Sequence, residues 1–280
     1  MRSGEVTVTR SGPNAAAPSP TGEGAARLEA RGVHVRFAGV HALDDVHLAV
    51  EQGEIVGLIG PNGAGKTTLV NALSGFQRPT TGHVLLDGAD ITRWAAHRRA
   101  RAGVARTFQS VRAFRGLTVR ENVEAAARSA GAAGRGAAAL TGEVLDLVGL
   151  GPSAGSVASA LSYGQERRLG IARALAGRPR ILLLDEPAAG LNEQESDELL
   201  EILRGIRADH GCGLLVIEHD MRLIMRLCDR LHVLDYGRTL AAGLPAEVAR
   251  DARVREAYLG SSVTRVGAAG AGEEGSRAAG

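Results

Sequence analysis

The chain has 280 residues, 44% of them hydrophobic and 23% charged, with a formal net charge of +2. That leaves room for one large domain or two small ones with a core able to fold unaided, and the near-neutral balance argues neither for nor against nucleic acid. No apolar run reaches the roughly 18 residues of a membrane span and no secretory-type apolar segment opens the chain. Cys212 and Cys228 lack metal or redox spacing, so both read as buried reduced thiols of a cytoplasmic protein.

In chain order, 1–26 is rich in Gly, Ala, Pro, Ser and Thr and is expected to be a disordered leader. Strands are expected at 28–37, at 47–50 and at Ile55–Ile59, with another at 83–87 after the turn signal Pro79-Thr-Thr-Gly82. From about 91 to 160 the texture turns Arg- and Ala-rich and helical, with a glycine-laden patch at 125–139 interrupting it. Two continuous apolar runs, 181–184 and Gly213–Ile217, read as fully buried parallel strands separated by a helix at 194–207. A hairpin around Asp235-Tyr-Gly237 and a short helix near 247–258 follow, and 261–280 is expected to be a disordered tail. The sum is an α/β core with a helical insertion.

Gly60, Pro61, Asn62, Gly63, Ala64, Gly65, Lys66, Thr67 and Thr68 fit the phosphate-loop pattern G-x-x-x-x-G-K-[ST], between an apolar strand and a helix at 67–73. Lys66 is the only lysine among 33 basic Lys and Arg residues. It falls where a compact ammonium must reach between phosphate oxygens, a task a planar guanidinium does poorly. Backbone N–H groups and the helix N-terminus favour the phosphates, and the Thr67 hydroxyl suits Mg²⁺. Downstream, the apolar run at 181–184 ends in Asp185 and Glu186. Asp185 is expected to hold Mg²⁺ beside the loop, and Glu186 to accept a proton from the water that attacks the γ-phosphate. The chain is read as binding a nucleoside triphosphate, with ATP and Mg²⁺ as its ligands.

At Leu161-Ser-Tyr-Gly-Gln165, placed between such a loop and an Asp-Glu-Pro strand end, the sequence comes to resemble the nucleotide-binding subunit of an ATP-binding cassette (ABC) transporter. The resemblance spans 27–260. It implies a RecA-like P-loop NTPase core of α/β class, an N-terminal antiparallel β subdomain and an inserted α-helical subdomain at about 91–160. It also implies roles for single residues. Ser162, Gly164 and Gln165 would meet the γ-phosphate bound by a second ATPase subunit. Gln109 would reach Mg²⁺ and the attacking water, and His219 would contact the γ-phosphate. Phe37 would stack on adenine, and Ala189-Gly-Leu-Asn192 would form the loop that crosses to the opposite monomer.

Further runs narrow the resemblance: Phe37-Ala-Gly-Val-His-Ala-Leu43, Leu117-Thr-Val-Arg-Glu-Asn-Val123, Ile217-Glu-His-Asp-Met221 and Glu256-Ala-Tyr-Leu-Gly260. They resemble the high-affinity branched-chain amino acid importers, on the side of the LivG-type ATPase rather than its LivF-type companion. Tyr163 and Asn192 suit this branch, whereas the segment at 123–140 looks short for it. The implied partners are a second ATPase subunit (a LivF-type heterodimer, or a homodimer), two integral-membrane permease subunits and, indirectly, an extracytoplasmic solute-binding protein. The chain would sit peripherally on the cytoplasmic face of the plasma membrane. Rival readings are a cassette for amides or urea-like solutes, an exporter, and a soluble cassette acting on nucleic acid or ribosomes. The basic stretch at 93–106 is read as a solvated helical face and no nucleic-acid partner is expected.

Overall fold

The computed structural model describes residues 26–109 and 111–258. The expected leader and tail lie outside these residues, except for Ala26, which is buried. Four antiparallel strands form a first sheet: β1 (Arg27–Phe37), β2 (Val40–Glu51), β4 (Thr81–Leu86) and β5 (Ala89–Asp90), in the order β2-β1-β4-β5. A second sheet comprises β3 (Ile55–Ile59), β6 (Val104–Arg106), β7 (Ile181–Asp185), β8 (Gly213–Ile217), β9 (Arg230–Asp235) and β10 (Arg238–Gly243). Its order is β10-β9-β3-β8-β7-β6, parallel except for the antiparallel edge strand β10.

The parallel strands carry apolar side chains on both faces because both faces are covered. Leu182 and Leu184 of β7 join one apolar cluster, while Ile181 and Leu183 join the other; β8 divides likewise. One cluster lies between the two sheets and encloses helix α1 (Lys66–Ser74) through Leu69, Val70 and Leu73. The other joins the opposite face of the parallel sheet to the helices.

Helices α3 (Val119–Ser129), α4 (Gly134–Leu147) and α5 (Tyr163–Leu175) form the insertion, and α6 (Glu193–His210) and α7 (Met221–Leu227) cover the same side of the sheet. The glycine-laden patch is thus two helices, broken only at 130–133. Its small residues are used for close packing, since Ala127 and Ala137 are fully buried. Thr118 and Glu121 form a reciprocal cap on α3. Asn122, fully buried, accepts from Phe114 N–H at 2.8 Å and donates to the carbonyls of Phe114 and Thr118 at 3.0 and 2.9 Å. It pins the loop that enters the helical region.

Three expectations are corrected. Strand β2 is longer than 47–50: its first half also buries Leu43 and Val46, but these stand three apart among His41, Asp44 and Asp45, so no strand-like alternation shows in the sequence. The helix near 247–258 is split into α8 (Pro245–Val248) and a second turn set at 252–258. The basic stretch at 93–106 is only in part a solvated face: α2 (Ala96–Arg101) exposes His97 and Arg101, but the stretch also holds β6, an edge of the parallel sheet. Arg99 is fully buried. It donates to the carbonyls of Ala72 and Leu73, the unpaired end of α1, at 2.6 and 2.7 Å, and to that of Thr92 at 3.0 Å. Burial pulls its pKa down to about 10.

Candidate functional site

The phosphate loop leaves the C-terminal end of β3 and turns into α1 at Gly65, whose φ is 102°. Only glycine fits there. A Cβ would lie 2.6 Å from the Ala42 carbonyl oxygen and 2.9 Å from Leu43 Cδ2, on top of the backbone strain. The β9–β10 turn closes the other side, since Gly237 N–H donates to the Ala64 carbonyl at 3.0 Å. Lys66 is 6% exposed, and its Nζ donates to the carbonyls of Gly60 and Pro61 at 2.7 and 2.9 Å. Burial lowers its pKa, opposed by the nearby charges of Glu186 and Asp185.

Asp185 ends β7 and is buried. Its Oδ2 accepts from Arg106 Nη2 at 2.7 Å, its N–H is bonded to Thr107 Oγ1 at 3.3 Å, and its Oδ1 has no protein partner. A bare, buried carboxylate oxygen beside an ammonium and hydroxyl-bearing loop is a fit for a hard divalent cation with oxygen ligands. Thr67, Gln109 and Asp185 are the residues that would hold Mg²⁺, which would draw charge from the phosphate oxygens.

Glu186 follows with a φ of 50°, a left-handed conformation that a non-glycine residue adopts only when its surroundings hold it there. Its carboxylate is clasped from two sides. Gln109 Nε2 donates to Oε2 at 2.8 Å, and His219 Nε2 lies 2.8 Å from Oε1. These three residues, expected separately from the sequence, converge from the ends of β6, β7 and β8. Beside them Glu218 is buried, and desolvation raises its pKa. It accepts from the N–H groups of Ala188 and His219 at 2.6 and 3.2 Å, anchoring the segment after Glu186. The sequence reading passed over Glu218; its signal is an acid ending an apolar parallel strand.

Other expected residues lie apart from this cluster. Ser162 caps α5: its Oγ accepts from Gln165 N–H at 3.3 Å, while Gln165 Oε1 accepts from Ser162 N–H at 3.0 Å. Among the described residues, no hydrogen bond links Ser162, Gly164 or Gln165 to the phosphate loop. Phe37 ends β1 and is 47% exposed. Tyr163 packs against Gly190, where a Cβ would come within 2.9 Å of the ring. Arg167 donates both to the Tyr163 hydroxyl and to the Gln109 carbonyl, with its guanidinium 5.0 Å from the Tyr163 ring centre. A single arginine thus ties the start of α5 to the loop carrying Gln109.

The family described as ABC transporter matches residues 43–189, and a second, described as branched-chain amino acid ATP-binding cassette transporter, matches residues 238–264. The chain belongs to the ABC transporter ATP-binding family. It is 43% identical over 250 residues to the high-affinity branched-chain amino acid transport ATP-binding protein BraF of Pseudomonas aeruginosa, covering 84% of this chain and 98% of that protein. Against LivG of Escherichia coli the identity is 42% with the same coverage. Methionine import ATP-binding protein MetN of Caulobacter vibrioides is 39% identical over 212 residues, covering 75% of this cassette and 64% of MetN. Among solved structures, the ADP conformation of an ABC transporter cassette superposes with a TM-score of 0.76 at 28% identity, covering 84% of this chain and 99% of that one. In this cassette the α/β core, the antiparallel β sheet and a helical insertion that the resemblance implied are all present.

Proposed function

We propose that this cassette binds and hydrolyses ATP to energise uptake of branched-chain or related amino acids through a membrane permease. The observation that carries the hydrolytic reading is the carboxylate of Glu186 clasped between Gln109 and His219, one residue beyond Asp185. Glu186 is suited to accept the proton of the attacking water, and Gln109 and His219 fix its orientation. Lys66 gives up two backbone carbonyls to meet the phosphates, and the α1 N-terminus adds its dipole. Phe37 stacks on the adenine.

The second half of each ATP site comes from a second ATPase subunit, whose signature serine faces this chain's loop, as Ser162 and Gly164 face the partner's. We take that partner as LivF-type. Closure of the pair moves two permease subunits through contacts around Gln109 and Phe114, and a solute-binding protein delivers the amino acid outside. The chain then works peripherally at the cytoplasmic face. Among the described residues no helix is long and apolar enough to cross a membrane. The branched-chain choice rests on the likeness to BraF and LivG and on the C-terminal family match.

The experiment is uptake into proteoliposomes holding this chain with its permease and second ATPase. Labelled leucine or valine should accumulate with ATP and binding protein present. Uptake of an amide or urea analogue instead would reassign the solute, and capture of ribosomes or nucleic acid with no permease would overturn the transporter reading.

A further inference from the structure

The Asp185 side chain lies against a cluster that the reading above leaves without a role. Arg106, at the end of β6, is 6% exposed in its side chain and Asp185 is 4% exposed, so the two form a buried ion pair. The guanidinium is held from other directions too. Nη1 donates to Asn71 Oδ1 and lies 3.4 Å from Ser74 Oγ, both on the last turns of α1. Its Cζ is 5.0 Å from the Phe108 ring centre and 5.8 Å from that of Phe76, and those two rings meet edge to face at 5.3 Å.

Two side chains of α1 on Nη1 and a pair of aromatic rings hold the guanidinium, although its Nε has no hydrogen-bond partner, so Asp185 is the group being placed and Arg106 the group placing it. The pairing is also one-sided: Oδ2 is taken and Oδ1 is bare. An isolated buried pair is a weak source of stability, and one that leaves an oxygen orphaned is weaker still. An arrangement of that kind is explained by a ligand for the free oxygen. α1 also begins with Lys66 and Thr67, so the same guanidinium ties the helix that carries the loop to the acid that faces it.

We infer that Arg106 is a positioning residue for Asp185, taking Oδ2 so that the carboxylate offers the nucleotide's Mg²⁺ one oriented oxygen, Oδ1. The inference rests on the site reading proposed above. It assigns to Arg106 and Asn71 a part in metal-dependent nucleotide binding rather than in folding alone.

The test is the affinity for ADP measured by calorimetry twice, with excess Mg²⁺ and with a chelator, in the wild-type chain and in Arg106→Met. Expected is a Mg²⁺-free affinity little changed in the variant, with the gain on adding Mg²⁺ reduced by about ten-fold or more. An unchanged gain overturns the inference, and a larger gain does too, because it would make Arg106 a competitor of the metal. Should Arg106→Met fail to fold, Asn71→Leu removes one anchor and is expected to lower the same gain by a smaller factor; an unchanged gain there counts equally against it. Absence of any Mg²⁺ gain in the wild-type chain would instead overturn the site reading.

Discussion

At the scale of single residues the site is a set of carboxylates whose oxygens are each allotted. Glu186 spends both on Gln109 and His219, Glu218 spends both on backbone N–H groups, and Asp185 spends one. Glu186→Gln keeps the size and removes the proton acceptor. It is expected to leave ATP affinity near wild type while turnover falls by about 10²-fold or more, read by phosphate release under saturating ATP. Wild-type turnover would remove Glu186 from that role.

His232 supplies a pH prediction away from the chemistry. Burial, reinforced by Arg230, lowers its pKa to about 4. Between about 4 and the ordinary value of 6.5 the unfolded chain therefore binds more protons than the folded one, so stability falls as pH drops through that window. The loss attributable to this residue is about 3 kcal/mol at most. In His232→Phe, denaturant melts between pH 6.5 and 4 should show a shallower slope; an unaltered slope would contradict the assignment.

At the scale of elements, what was legible in the sequence was what local pattern carries. Ile55–Ile59 and Gly213–Ile217 announced themselves as continuous apolar runs, and the phosphate loop as a spacing of glycines before Lys66. Asp185 and Glu186 were legible as acids ending an apolar strand, whereas Gln109 and His219 were legible only through the resemblance to the cassette family. What was not legible depends on distant partners. Nothing local in 93–106 says that Arg99 plugs the end of α1 or that Arg106 meets Asp185, 79 residues away in sequence. Asn122 looked like one letter of a motif, yet it is the staple of the 114–118 loop. Asn122→Ala would leave several buried backbone groups unpaired and is expected to cost about 2–4 kcal/mol. Hydrogen exchange should quicken at Phe114–Thr118 first, and uniform quickening would argue against the staple.

At the scale of the whole molecule, the helical insertion and the parallel sheet share one apolar cluster, in which Val123, Leu140 and Val144 continue into Leu182 and Leu184. Movement of Gln109 is tied by Arg167 to Tyr163 and thence to the Gly190 segment, so the parts that would face a second ATPase cannot shift independently. For the Glu186→Gln chain mixed with a LivF-type partner, ATP and Mg²⁺ should give one species of summed mass in light scattering, and ADP should give separate chains. Equal masses with both nucleotides would show that nucleotide does not govern assembly.

The folded-back ammonium of Lys66 has a last consequence. Because the chain holds no other lysine, its side-chain primary amine chemistry is confined to one nearly covered atom in the mouth of the phosphate loop. Acylating enzymes and reactive metabolites that decorate surface lysines of other proteins find no side-chain amine on the outside of this one. Any side-chain adduct would form at the loop itself, and a bound nucleotide would shield it, so labelling of Lys66, counted apart from that of the chain's α-amine, becomes a gauge of how much of the protein is occupied.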